Sequence, residues 1–201
     1  DRGQKQNAQD ITNYSGSVHR LNDDGSIPED IPFVGVEGAI GSIYSYGHRN
    51  IQGLALHPET GELWSHEHGP RGGDELNIEY SGLNYGWPEI CFGINYDGSI
   101  LTEDTAREGM EQPVTYWVPS IAPCGMDFVE GDVYPEWKGN LLVGSLRFKY
   151  IVRCVLEGNK VVHQERLVDG PGRVRNVKVG PDGYIYVAIE DPGRILKIVP
   201  Q

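Results

Sequence analysis

Gly53 to His66, GLALHPETGELWSH, reads as a short strand, a tight turn built on Pro58 and Gly61, and a second strand. The same grammar returns at Met126 to Ser145, MDFVEGDVYPEWKGNLLVGS, and at Val177 to Glu190, VKVGPDGYIYVAIE. The last unit runs on through DPGRILKIVP, and SGSVHRLNDDGSIP echoes the pattern near the start. A strand-turn-strand unit repeated along a chain marks a repeat architecture, and antiparallel four-stranded units of this kind build a β-propeller. A sandwich also has many short strands, but it does not predict a recurring P-x-x-G or P-x-G turn before a WS, VG or YV strand. The expected fold is all-β, with residues 1–201 forming a partial β-propeller. At about 40 to 50 residues per blade, the chain has room for about four. Its polar start suggests blades belonging to a larger ring, because an open propeller leaves strand edges that tend to pair.

Working outward, the composition fits many turns and short strands. Gly occurs 27 times and Pro 13 times in 201 residues, spread along the chain. No apolar run reaches the roughly 18 residues needed to span a bilayer, and DRGQKQNAQD has no signal-peptide core. A net charge of -12 argues against nucleic acid or an anionic membrane as partner. Yet eight of the seventeen Lys and Arg fall between Arg147 and Lys178, a local region able to hold an anion. Cys91, Cys124 and Cys154 lack CxxC spacing, so buried free thiols are the default, with one bridge plus one free thiol the alternative.

Gly47 to Pro88 holds the densest set of special residues. Arg49 and Asn50 are neighbouring donors, Asp74 and Glu75 are carboxylates suited to a hard cation, and GPRGG turns main-chain carbonyls out of a ladder. Further on, Arg173 and Arg175 stand two apart, so in extended backbone their guanidiniums share a face and match a carboxylate ligand. Arg147 closes the Met126 to Ser145 repeat in a comparable place. Pairing with surface Asp and Glu is the competing role for all three arginines. His66 and His68 alternate on a strand and are expected to line the channel without binding a transition metal, which needs three or four ligands. The other four histidines look like turn or strand residues with no chemistry attached.

The ordered motifs GHRNIQG, EHGPRGGDELN, NYGWP, PSIAP, GSLR, GRVRNV and GPDGYIYV resemble the carboxyl-terminal half of the soluble glucose/sorbosone dehydrogenases. These are quinoproteins that use pyrroloquinoline quinone (PQQ). The resemblance implies about half of a six-bladed ring. It also implies an enzyme that oxidises aldose sugars to lactones by hydride transfer to PQQ. Cofactor contacts would fall on Arg49, Asn50, Ser120, Arg147, Arg173 and Arg175. Cofactor-bound Ca2+ would take the carbonyls of Gly69 and Pro70, with Arg71 facing outward. A second, structural Ca2+ would take the Glu75 side chain and the Tyr85 carbonyl. The family usually has Lys at Arg147 and often Thr at Ser120, and both changes keep the charge or the hydroxyl. Its catalytic histidine belongs to the amino-terminal half. No histidine here matches it, so the chain alone is expected to be inactive. A periplasmic or secreted location follows from the same resemblance, while the aldose and the electron acceptor stay open. The alternatives are a non-enzymatic calcium-containing propeller that binds protein or sugar, and a calcium-dependent lactonase.

Overall fold

The computed structural model describes residues 3–200 of the chain. A short 3-10 helix at Lys5–Gln9 leads into β1 (Ser17–His19) and β2 (Ile43–Tyr46), which pair antiparallel. β3 (Ile51–Leu56), β4 (Leu63–Glu67), β5 (Asp74–Glu79) and β6 (Thr115–Trp117) form a four-stranded antiparallel sheet in chain order. β7 (Pro123–Phe128), β8 (Leu141–Ser145), β9 (Ile151–Glu157) and β10 (Lys160–Leu167) form a second. β11 (Val174–Val179), β12 (Ile185–Ile189) and β13 (Arg194–Lys197) form a three-stranded sheet. β3, β7 and β11 pack side by side as the innermost strands, so the chain is a partial all-β propeller.

Each of the three repeats opens its blade as a hairpin. The expected hairpin near the start is not there: β1 pairs with β2, far along the chain, and Asn22–Ser26 is only a turn. Pro28, Pro32, Gly35 and Gly38 fill the connection, and a proline has no N–H to give a ladder.

Burial explains the sequence pattern. All five residues of β8 (LLVGS) are buried because a sheet lies on either side. Leu141 and Val143 join one core with Trp64, Leu76 and Phe128, while Leu142 points the other way, into a core with Val174, Val177, Ile185 and Val187. Trp64 meets Phe128 edge to face, with centroids 5.8 Å apart. Burying such side chains stabilises by about 1.5–3 kcal/mol each. Strand β10 (KVVHQERL), on the rim, reads as mostly exposed. The inner strand β3 is half-open, and its Leu54 and Leu56 face outward. All three cysteines are buried and free, as expected.

Candidate cofactor and metal site

The same end of every blade carries the candidate residues. First strands begin there and second strands end there, as the pairs Ile51↔Glu67, Pro123↔Ser145 and Val174↔Ile189 show. Each innermost strand also slips register near its start: between Ile51 and Gly53, Cys124 and Met126, and Val174 and Asn176. A bulge of this kind bends the strand and re-aims a side chain, and at β11 the extra residue is Arg175. The inner strands approach closely here. A Cβ on Gly125, whose φ is +62°, would lie 2.3 Å from Asn176 Oδ1, so only glycine fits.

Arg173 and Arg175 do converge. Arg173 Nε lies 3.3 Å from Glu190 Oε2, and an Arg175 Nη2–H donates to the same oxygen. Both arginines and Glu190 are about half exposed. Arg147 Nη1–H donates to the Ser120 carbonyl (3.1 Å), and its guanidinium covers Phe148. Ser120 Oγ–H donates to Asp74 Oδ2 at 2.7 Å. Arg49 Nη1–H donates to the His68 carbonyl at 2.9 Å, with its guanidinium between the Trp87 and Tyr96 rings. Tyr96 lies outside every motif of the sequence reading. Pro70, Arg49, Trp87 and Tyr96 line one groove. Arg71 is exposed, in keeping with the expectation. The Asn50 side chain is exposed and accepts from Gln52 Nε2 (2.9 Å).

Asp74 departs from its expected part as an ion ligand. It is fully buried, accepts the Gly69 N–H at 3.0 Å with one oxygen, and with the other accepts Ser120 Oγ–H and the Ala122 N–H at 2.9 Å. Its carboxylate is spent as a brace between two blades. His66 and His68 also separate. His66 is buried against Gly53, and burial pushes its imidazole down to about 3. His68 Nε2 lies 2.7 Å from the Pro123 carbonyl oxygen, so it faces the next inner strand.

His48, expected to carry no chemistry, is the centre of a buried ionic cluster. Its Nδ1 lies 3.1 Å from Glu67 Oε1 and its Nε2 3.2 Å from Glu79 Oε2. Burial opposes its charge, but Glu79 and Glu67 outweigh that and raise it to about 10. Glu79 also accepts from Ser45 Oγ at 2.6 Å and Ser65 Oγ at 2.5 Å. Glu67 stands directly opposite Glu75 across the β4–β5 ladder. Burial first, and then Glu67, push the Glu75 carboxyl up to about 8.

Like charges facing each other across a ladder are destabilising; His48 faces Glu67, and a cation beside Glu75 would let that carboxyl ionise as well. Glu67, Glu75, Gly69, Gly73 and Tyr85 line a cavity of about 10 Å³, room for one water-sized occupant. Asn77 Oδ1, also on β5, is buried without a hydrogen-bond partner. Among the described residues no three His, Cys, Asp or Glu side chains form a metal set by themselves. An ion here therefore needs main-chain oxygens as well, which is the chemistry of Ca2+. The residues present fit the ion.

The sequence profile of the glucose/sorbosone dehydrogenase family matches residues 1–197, and the chain belongs to that family. It is 44% identical over 205 residues to the aldose sugar dehydrogenase YliI of Escherichia coli K12, covering 100% of this chain and 55% of that protein. It is 48% identical over 250 residues to quinoprotein glucose dehydrogenase B of Acinetobacter calcoaceticus, covering 96% of this chain and 52% of that one. The PQQ-bound aldose sugar dehydrogenase of Streptomyces coelicolor superposes with a TM-score of 0.76 at 28% identity, covering 97% of this chain and 55% of that one. The chain thus spans about half the length of the curated relatives it matches.

Proposed function

We propose that the chain is the cofactor- and calcium-binding part of a quinoprotein dehydrogenase that oxidises aldose sugars to lactones. The observation that carries this reading is the meeting of Arg173 and Arg175 on one carboxylate oxygen, at the blade end that also holds Arg49, Ser120 and the Gly69–Pro70 turn. Two guanidiniums that already share a carboxylate are arranged to bind one supplied by a ligand.

Bound PQQ would supply a two-electron acceptor for hydride, with Ca2+ polarising its quinone oxygens. Arg173, Arg175 and Arg147 would bind its carboxylates, and Arg49 and Asn50 would be further donors. Ser120 Oγ gives its hydrogen to Asp74, so it would face the cofactor as an acceptor only. The carbonyls of Gly69 and Pro70 would hold the cofactor's Ca2+, and Glu75 with the Tyr85 carbonyl a structural one. No residue of this chain is assigned the proton-abstracting role. A periplasmic or secreted location belongs to the same proposal. Among the described residues no helix is long and apolar enough to cross a membrane.

The test titrates the protein with PQQ in the presence of Ca2+, following the quinone absorbance and the melting temperature. Uptake should shift the absorbance and raise Tm by linkage. The double variant Arg173→Ala with Arg175→Ala should weaken uptake at least about 100-fold while changing stability by less than about 1 kcal/mol, since exposed ion pairs contribute little. Lost stability with unchanged uptake would assign the arginines to surface pairing with Glu190 instead.

A further inference from the structure

We infer that Glu67 is a positioning residue that fixes the main chain of Arg49 and Asn50 at the mouth of the site, an inference that rests on the cofactor reading above. The Arg49 N–H donates to Glu67 Oε2 at 2.6 Å, and the Asn50 N–H donates to the same oxygen at 3.2 Å. The other oxygen, Oε1, meets His48 Nδ1 at 3.1 Å and Asn77 Nδ2 at 3.4 Å. One buried carboxylate therefore ties the Gly47–Asn50 loop to β5, two residues from Glu75.

The need for such a tie is physical. Gly47 has φ +81°, and a Cβ there would lie 2.1 Å from Asn84 Oδ1, so the loop enters β3 by an irregular path with a register slip just beyond. Successive N–H groups aimed at one point have no ladder partner, and a buried carboxylate supplies the acceptor they require. With the main chain of Arg49 pinned, its guanidinium stays over Trp87, 5.4 Å from the ring centroid, and its Nη1–H reaches His68. Glu67 itself would not touch the quinone. Its effect would pass through the two amides.

Glu79 provides the control, because it belongs to the same buried cluster and bonds neither amide. Hydrogen exchange read residue by residue on the ligand-free protein decides the point. In the wild-type protein the Arg49 and Asn50 amides should be protected, and exchange at the rate of an open loop overturns the inference without any variant. Glu67→Leu should speed exchange of both amides at least about ten-fold relative to Ala55 in the strand that follows them, the loss of a charge-assisted hydrogen bond. Glu79→Gln should leave that ratio within about two-fold. Should Glu67→Leu not fold, Glu67→Asp withdraws the carboxylate by one methylene while keeping its charge, and gives the same reading. Unchanged amides in the Glu67 variant, or an equal change in Glu79→Gln, overturns the inference. PQQ uptake is measured alongside: Glu67→Leu should weaken it at least about ten-fold. If the wild-type protein takes up no PQQ, the cofactor reading fails, and the exchange ratios still decide whether Glu67 holds the loop.

Discussion

The two charged regions of this molecule are built in opposite ways. The cluster of His48, Glu67 and Glu79 is almost fully buried, and each carboxylate oxygen of Glu67 and Glu79 meets donors from the Gly47–Asn50 loop or the surrounding strands. The rim of Arg173, Arg175 and Glu190 is about half exposed and meets at one shared oxygen, with Arg175 Nη1 also 4.0 Å from Cys124 Sγ. A buried charge without its partner is costly, so the cluster has one arrangement, whereas an exposed pair is screened and exchanges partners readily. Rigidity therefore lies behind the proposed site and adaptability at its mouth, an arrangement that would suit the charged ligand proposed above.

The largest effect should come from the cluster. Glu79→Gln leaves an imidazolium with one carboxylate fewer and two serine hydroxyls facing an amide. A loss of about 3–5 kcal/mol is expected from urea denaturation. A loss below about 1 kcal/mol would show that His48 sheds its proton without penalty, and the contrast with the rim would collapse.

A second effect couples the cluster to the proposed ion. His48 is raised from 6.5 to about 10, so its contribution to stability is complete below pH 6.5 and lost as pH rises towards 10. Glu75 is raised from 4.5 to about 8, so the folded state keeps a proton that the unfolded state has released. Without calcium, stability should fall with rising pH across both windows. Calcium competes with the Glu75 proton, so its affinity should climb until about pH 8. At 100-fold excess over Kd the ion stabilises by about 2.7 kcal/mol. The calcium-induced rise in Tm should be larger near pH 8.5 than near pH 6. An equal rise at both would place the ion away from Glu75.

How much of this could be read beforehand differs by element. The strand-turn-strand units at Pro58–Gly61 and Pro181–Gly183 were legible, since turn chemistry and the apolar strands on either side pointed to the same hairpins. The pairing of β1 with β2 was not, because register across a long Gly- and Pro-rich connection leaves no local pattern. The arginines were legible from the motifs in order, and their neighbours were not. His48 sits inside GHRN beside Arg49 and reads there as a turn or strand residue with no chemistry attached. The spacing within LWSHEHG and DELNIE held the missing signal. Once β4 and β5 pair as a hairpin, Glu67 meets Glu75 and Leu63 meets Glu79, which puts four carboxylates, Asp74 among them, on two adjoining strands with no Lys or Arg in either. Asp74 shows the reverse error. A carboxylate beside glycines suggested an ion ligand, and only the fold reveals that Gly69, Ser120 and Ala122 already use both its oxygens.

The smallest expected effect discriminates best at the rim. Glu190 occupies the arginine pair with the same functional group that PQQ would present, so in the ligand-free state it is an internal competitor. Glu190→Gln keeps the shape and removes the charge. Stability should change by less than about 0.5 kcal/mol, because the pair is exposed on both sides. PQQ uptake should tighten by about two- to five-fold, the worth of a screened ion pair that no longer has to be exchanged. The direction matters more than the size. If uptake weakens instead, Glu190 is holding the two guanidiniums in register for the ligand. The rim would then be a preorganised fork, and the division between a rigid interior and an adaptable mouth would have to move outward by one shell of side chains.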